Sequence, residues 1–177
     1  MVSDTHGDVE AWEKAMHLLG GCQWILHAGD HLYNGAFNPV LPSYHPRRLA
    51  ELMNSCPVPV LHARGNCDSE VDTVALRDPL APLVLARLGD LLFLVMHGHT
   101  HDEEGLVELA RRYRADVLVR GHTHLAGIER RDSLTVVNPG SISLPAGGNP
   151  PTLAVLEEGR LSLLRLEDGS EFASEAL

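Results

Sequence analysis

With 177 residues, of which 44% are hydrophobic and 21% charged, the sequence excludes a disordered or collagen-like chain and fits one domain over 1–177 with a sizeable core. No apolar run approaches the roughly 18–20 residues of a membrane span and no secretory leader opens the chain, so a soluble, cytoplasmic protein is expected. The formal charge of −10 repels polyanions, which argues against stable nucleic-acid binding.

Residues 8–19 carry Val9, Trp12, Met16 and Leu19 at helical spacing and stop at Gly20-Gly21, which predicts a first helix. A strand follows at 24–27, ending in Ala28-Gly29-Asp30, and then a loop rich in Asn, Pro and Tyr at 33–46. A short helix near 47–54 puts Leu49, Leu52 and Met53 on one face, and an apolar strand at 58–62 runs into Arg64-Gly65-Asn66-Cys67-Asp68. The runs 83–88 and 91–96, joined by Gly89-Asp90, predict a strand pair. A helix at 103–114, with Leu106, Leu109 and Tyr113 inward, precedes a strand at 117–119. Short strands are predicted at 125–131, 134–138, 152–157 and 161–166, the last two turning at Glu158-Gly159. The order is α/β in the first two thirds and mostly β afterwards, which points to packed sheets with helices outside.

Five polar clusters stand at the ends of apolar runs: Asp4-Thr5-His6, Gly29-Asp30, Gly65-Asn66-Cys67-Asp68, His97-Gly98-His99 and Gly121-His122-Thr123-His124. Only the first lacks a full run before it. Ligands of open α/β sheets gather beyond the carboxyl ends of strands, so clusters far apart in sequence can meet there. Histidine is unusually frequent, at 11 residues, and crowds positions 97–124. Cys22, Cys56 and Cys67 have no C-x-x-C spacing, so neither a disulfide framework nor a zinc knuckle is expected.

Asp4, His6, Asp30 and His124 would form one oxygen and nitrogen site, and Asp30, Asn66, His97 and His122 a second, with Asp30 shared. Such sets suit Mn, Fe, Zn or Ni without selecting among them. Two metals about 3.5–4 Å apart clamp the attacking and leaving oxygens in displacement at phosphorus, and a water bridging them ionises near neutral pH. No serine or cysteine nucleophile is then needed.

In chain order, Asp-x-His at 4–6, Gly-Asp at 29–30, Gly-Asn-x-Asp at 65–68, His97 and Gly-His-x-His at 121–124 resemble the metallophosphoesterase (calcineurin-like) superfamily. Within it, Ser3-Asp4-Thr5-His6-Gly7, the run Arg64 to Asp72, Gly121-His122-Thr123-His124 and Asn138-Pro139-Gly140-Ser141 are similar to the YfcE-like phosphodiesterases. The likeness runs from Ser3 to about Leu166. It implies an α/β fold in the form of a four-layer αββα sandwich, two mixed β-sheets flanked by helices. It also implies a dinuclear site held by Asp4, His6, Asp30, Asn66, His97, His122 and His124, and hydrolysis of small phosphodiesters with two divalent ions, commonly manganese.

Two departures stand out. Much of the superfamily has histidine after Gly-Asn, where this chain has Cys67, as the YfcE-like branch does. A thiol is a poorer cationic partner for a leaving alkoxide than imidazolium, which predicts preference for esters with good leaving groups. Cys67 as nucleophile, or as a small filler, are the competing readings. The family's first strand brings several apolar residues before Ser-Asp-x-His, and only Met1 and Val2 stand here. The expectation is that the start lies upstream or the strand is shortened, and that an apolar extension stabilises the protein.

Among the other candidates, His99 reaches a substrate phosphate or supports a ligand, Arg64 faces a phosphate or a structural carboxylate, and His101 is solvated. His17, His27, His31, His45 and His62 have no motif claim. The alternatives to a phosphodiesterase are a phosphomonoesterase or nucleotide-specific hydrolase on the same site, or a binding scaffold without turnover. Seven intact ligand types argue against the scaffold. A His-x-His amidohydrolase would carry that motif early, and here it comes late. A homo-oligomer is left open.

Overall fold

In the computed structural model, which describes residues 1–177, the helical spacing places buried side chains on one face each of α1 (Val9–Leu18) and α2 (Pro46–Asn54). Asp8 caps α1 by accepting the Ala11 N–H at 3.0 Å, and Pro46 opens α2 where a missing N–H costs nothing. Trp12, Ala15, Leu49, Ala50 and Met53 form the packed sides.

These helices lie on a mixed sheet. Its parallel half is β1 (Ile25–His27), β2 (Val60–Ala63) and β3 (Leu80–Ala81), in the order β1-β2-β3. On the free side of β1, Val2 makes a parallel bridge to His27, and Met1 exchanges backbone hydrogen bonds with Ala154 of β9 (Thr152–Glu157). β10 (Arg160–Arg165) and β11 (Glu171–Ala176) extend it antiparallel. Two residues thus splice two three-stranded pieces into one sheet.

The second sheet comprises β4 (Val84–Leu88), β5 (Leu91–Val95), β6 (Val117–Val119), β7 (Gly127–Arg131) and β8 (Leu134–Asn138), ordered β4-β5-β6-β8-β7. The period of two along its strands sends Phe93, Val95, Val117, Val119 and Val137 toward the first sheet, where they meet Leu26, Ala63, Leu161 and Leu163. Leu94, Leu118, Leu134 and Val136 point the other way, onto Leu106, Val107 and Ala110 of α4 (Glu103–Arg112). Three apolar seams therefore separate four layers, which is the αββα sandwich the resemblance implies.

Most predicted elements form within a residue or two of their expected ends. Tyr113 is a correction: α4 stops at Arg112, and Tyr113 caps it with its ring exposed rather than inward. The one-turn helix α3 (Asp72–Ala75), β3 and β11 were not anticipated. Beyond Met1, between β1 and β9, a cavity of about 820 Å³ is lined by Leu18, Leu19, Trp24, Phe93 and Leu156. Burial pulls the Met1 ammonium down to about 5.

Candidate metal centre

All five polar clusters leave strands at their carboxyl ends, after Val2, β1, β2, β5 and β6. The turns are tight. Asp4, His6, Asp30, His122 and His124 have φ of 54°, 46°, 58°, 70° and 57°, five of the eight non-glycine residues in left-handed backbone. That region costs an L-residue about 1–2 kcal/mol, and such strain clusters at functional sites. Two glycines let the carboxylates in: a Cβ on Gly65 would stand 2.0 Å from Asp30 Oδ1, and one on Gly121 2.8 Å from Asp4 Oδ2.

Three imidazoles are fixed in one tautomer. His6 Nδ1–H donates to the Tyr33 carbonyl at 3.0 Å, His97 Nδ1–H to Ala28 at 2.8 Å, and His124 Nδ1–H to Leu144 at 2.5 Å. When neutral, each ring therefore turns an Nε2 lone pair inward. There His97 Nε2 lies 3.3 Å from Asp30 Oδ2 and 3.0 Å from Asn66 Oδ1, while His124 Nε2 lies 3.2 Å from Asp4 Oδ1. His6 Nε2 is 3.9 Å from Asp4 Oδ1, 3.7 Å from Asp30 Oδ2 and 3.3 Å from His124 Nε2.

Acceptors thus face acceptors, and Asp4 Oδ1 is buried without a hydrogen-bond partner. Such an arrangement is unfavourable unless a cation sits in its middle. Imidazole nitrogen, carboxylate and amide oxygen without thiolate partners fit divalent first-row ions. The titration behaviour agrees. Burial pulls His97 down, yet the hydrogen bond to Asp30 and the charges of Asp4 and Asp30 outweigh it and hold His97 at about 9. Burial likewise pulls His124 down, and the hydrogen bond and charge of Asp4 outweigh it and raise it. Without metal, protons occupy the place of a cation.

The compact set therefore contains Asp4, His6, Asp30, His97 and His124, with Asn66 Oδ1 at its edge. His122 and His99 stand on the exposed rim: the His122 ring is 5.2 Å from that of His97, and His99 is 5.4 Å from it. The His122 backbone N–H, not its ring, reaches Asp4, at 3.2 Å. Burial first, and then the charge of His97, lower both rim histidines. Cys67 Sγ lies within 4.8 Å of ligand atoms of His6 and Asp30. Burial and the charge of Asp30 push its thiol up to about 12. Arg64 faces a carboxylate, Glu70 at 2.8 Å, and His101 is solvated.

Sequence reasoning placed Asp68 in the Gly-Asn-x-Asp motif without a role for it, and gave none to the buried histidines below it. Asp68 accepts N–H bonds from Asp30 at 3.0 Å, His31 at 2.7 Å and Gly65 at 2.7 Å. Burial pushes its carboxyl up, but the hydrogen bonds from His31 and Gly65 hold it below the usual carboxylate range.

A four-layer sandwich with histidines and aspartates converging at its strand ends defines a class, and the comparisons name it. Residues 1–160 match the model of the calcineurin-like phosphoesterase superfamily domain, and the chain belongs to that superfamily, whose metallophosphoesterases carry divalent metal ions. It is 39% identical to phosphodiesterase YfcE of Escherichia coli K12 over 178 residues, covering 99% of this chain and 95% of that one. The solved structure of the E. coli phosphoesterase YfcE superposes with a TM-score of 0.88 at 37% identity, over 99% of this chain and 96% of that one. Vacuolar protein sorting 29 from Cryptosporidium parvum, with a TM-score of 0.69 at 20% identity over 99% of this chain and 96% of that one, shares the fold alone.

Proposed function

We propose that this protein is a dinuclear metal-dependent phosphodiesterase acting on small phosphodiesters. The observation that carries the reading is the convergence of three Nε2 atoms on two carboxylates, with Asp4 Oδ1 buried among them without a hydrogen-bond partner. Asp4, His6, Asp30 and His124 would hold one ion, and Asp30, Asn66, His97 and His122 would hold the other. Mn²⁺ is the preferred metal, and the same donors accept Fe, Zn or Ni. When bound, the pair supplies Lewis acidity and a water ionised near neutral pH.

The chain's own groups do the rest. Asn66, exposed at the end of the β2 loop, offers its carboxamide N–H to a phosphate oxygen. His99, on the rim beside His97 and His122, supports the phosphate from outside. Cys67 offers a thiol in place of an imidazolium and gives the leaving oxygen no cation, so activated esters turn over best. The whole of 1–177 acts as one cytoplasmic domain, and its acidic surface disfavours stable nucleic-acid binding.

Bis-p-nitrophenyl phosphate hydrolysis by metal-stripped protein, with and without Mn²⁺, tests the proposal alongside His122→Ala. Activity is expected only with Mn²⁺, and the variant should lose most of it. Metal-independent turnover or an unaffected variant refutes the mechanism, and faster hydrolysis of p-nitrophenyl phosphate than of the diester would make it a phosphomonoesterase.

A further inference from the structure

Three histidines that no motif claims, His27, His31 and His62, lie buried beneath the ligand loops. His31 Nδ1 is 2.9 Å from Asp68 Oδ2; the carboxylate only accepts, so His31 carries its proton there and leaves Nε2 as an acceptor. His62 Nδ1, 3.0 Å from that Nε2, therefore donates to it. The relay ends on Asp68, whose carboxylate joins the loop carrying Asp30 to the loop carrying Asn66 through three backbone N–H groups.

His27 makes the matching link on the other side. Gly29 N–H donates to its Nδ1 at 3.2 Å, so its Nε2–H donates to Thr5 Oγ1 at 2.7 Å, between Asp4 and His6. The rings of His27 and His31 stack at 3.7 Å, which couples the two links into one plate. An apolar side chain would fill the same space more cheaply, but it would take the imidazole donor from Asp68 and from Thr5.

We infer that His27, His31, His62 and Asp68 form a rigid plate that sets the spacing of the two metal subsites, with His31 and His62 as positioning residues for the Asp30–Asn66 side. This rests on the dinuclear reading above. A misaligned supporting shell lowers metal affinity by about 10–100-fold without removing a ligand, and the plate acts in that way.

Metal-stripped wild type, His62→Leu, His62→Gln and Thr5→Val are titrated with Mn²⁺ alone by calorimetry. Electron paramagnetic resonance of the loaded proteins reads the spin coupling of neighbouring ions, and circular dichroism checks folding. Wild type should bind two coupled ions. His62→Leu and Thr5→Val should bind one of the two about 10–100-fold more weakly and show uncoupled Mn²⁺. His62→Gln, which restores an N–H donor, should stay close to wild type. Folded His62→Leu or Thr5→Val with wild-type affinity and coupling overturns the inference, as does His62→Gln failing as badly as His62→Leu. Should His62→Leu not fold, the near-isosteric Thr5→Val decides alone. A wild type that binds no coupled pair refutes the dinuclear reading itself.

Discussion

Gly65→Ala is expected to damage both stability and metal binding, although alanine ordinarily suits a non-helical position of this kind. The φ of Gly65 lies outside the left-handed region, so space and not backbone freedom demands glycine. The added Cβ would stand 2.0 Å from Asp30 Oδ1 and 2.4 Å from Asp30 N, where ordinary contact begins at 3.4 Å, so the carboxylate must retreat by about 1.4 Å. Its backbone cannot follow freely, because Asp68 holds the Asp30 N–H at 3.0 Å and the Gly65 N–H at 2.7 Å. Overpacking costs about 1–3 kcal/mol, and each loosened charge-assisted bond about 1.5–3 kcal/mol when lost. A total near 4 kcal/mol corresponds to a fall of roughly 10 °C in melting temperature for a chain of this length. Misplacing a reacting group by about 1 Å costs on the order of 10²-fold in turnover. Thermal melts of metal-free protein, Mn²⁺ calorimetry and diester hydrolysis read the three effects. Gly20→Ala, whose Cβ meets nothing nearer than 3.5 Å, is the control. A Gly65→Ala protein that melts with the control and keeps both ions would refute the steric argument.

Metal removal should lower the melting temperature, because each ion present at 100 times its dissociation constant adds about 2.7 kcal/mol; equal melts with and without EDTA would contradict this. Cys67→His should raise turnover of unactivated diesters relative to bis-p-nitrophenyl phosphate by supplying the missing imidazolium, and an unchanged ratio would remove the leaving-group argument. Burial lowers His62 to about 3 from 6.5, so between those values the unfolded chain binds the extra proton and stability falls as the pH drops. The slope is about 1.4 kcal/mol per pH unit for that one proton, and urea denaturation of metal-free protein from pH 7 to 5 should flatten in His62→Leu. Four apolar residues added ahead of Met1 should stabilise the protein by at least about 1 kcal/mol at pH 7, since they replace an ammonium whose pKa burial lowers from 8.0 to about 5. Unchanged melting temperatures would count against that.

The candidate ligand loops were legible because four of the five follow a full apolar run and because the clusters, each weak alone, occur together in one order. The four layers were expected from the family resemblance; the run 91–96 is apolar throughout because Leu94 and Val95 face opposite seams, so no alternation could mark them. The histidine plate was not legible, because its partners are distant: His31 and Asp68 are 37 residues apart, and His27 and Thr5 are 22 apart. A signal was nonetheless present, since His27 and His62 sit at matching positions of two adjacent strands. β11 escaped because Glu171, Ser174 and Glu175 make an edge strand look like a polar tail, and α3 is a single turn with no periodicity to read.

The left-handed backbone at Asp4, His6, Asp30, His122 and His124 bears on the stability of the metal-free fold. Any of these positions folds more easily as glycine, by about 1–2 kcal/mol for each strained histidine. The strain at these five positions therefore has no return in the metal-free fold, and a bound cation is what would offset it.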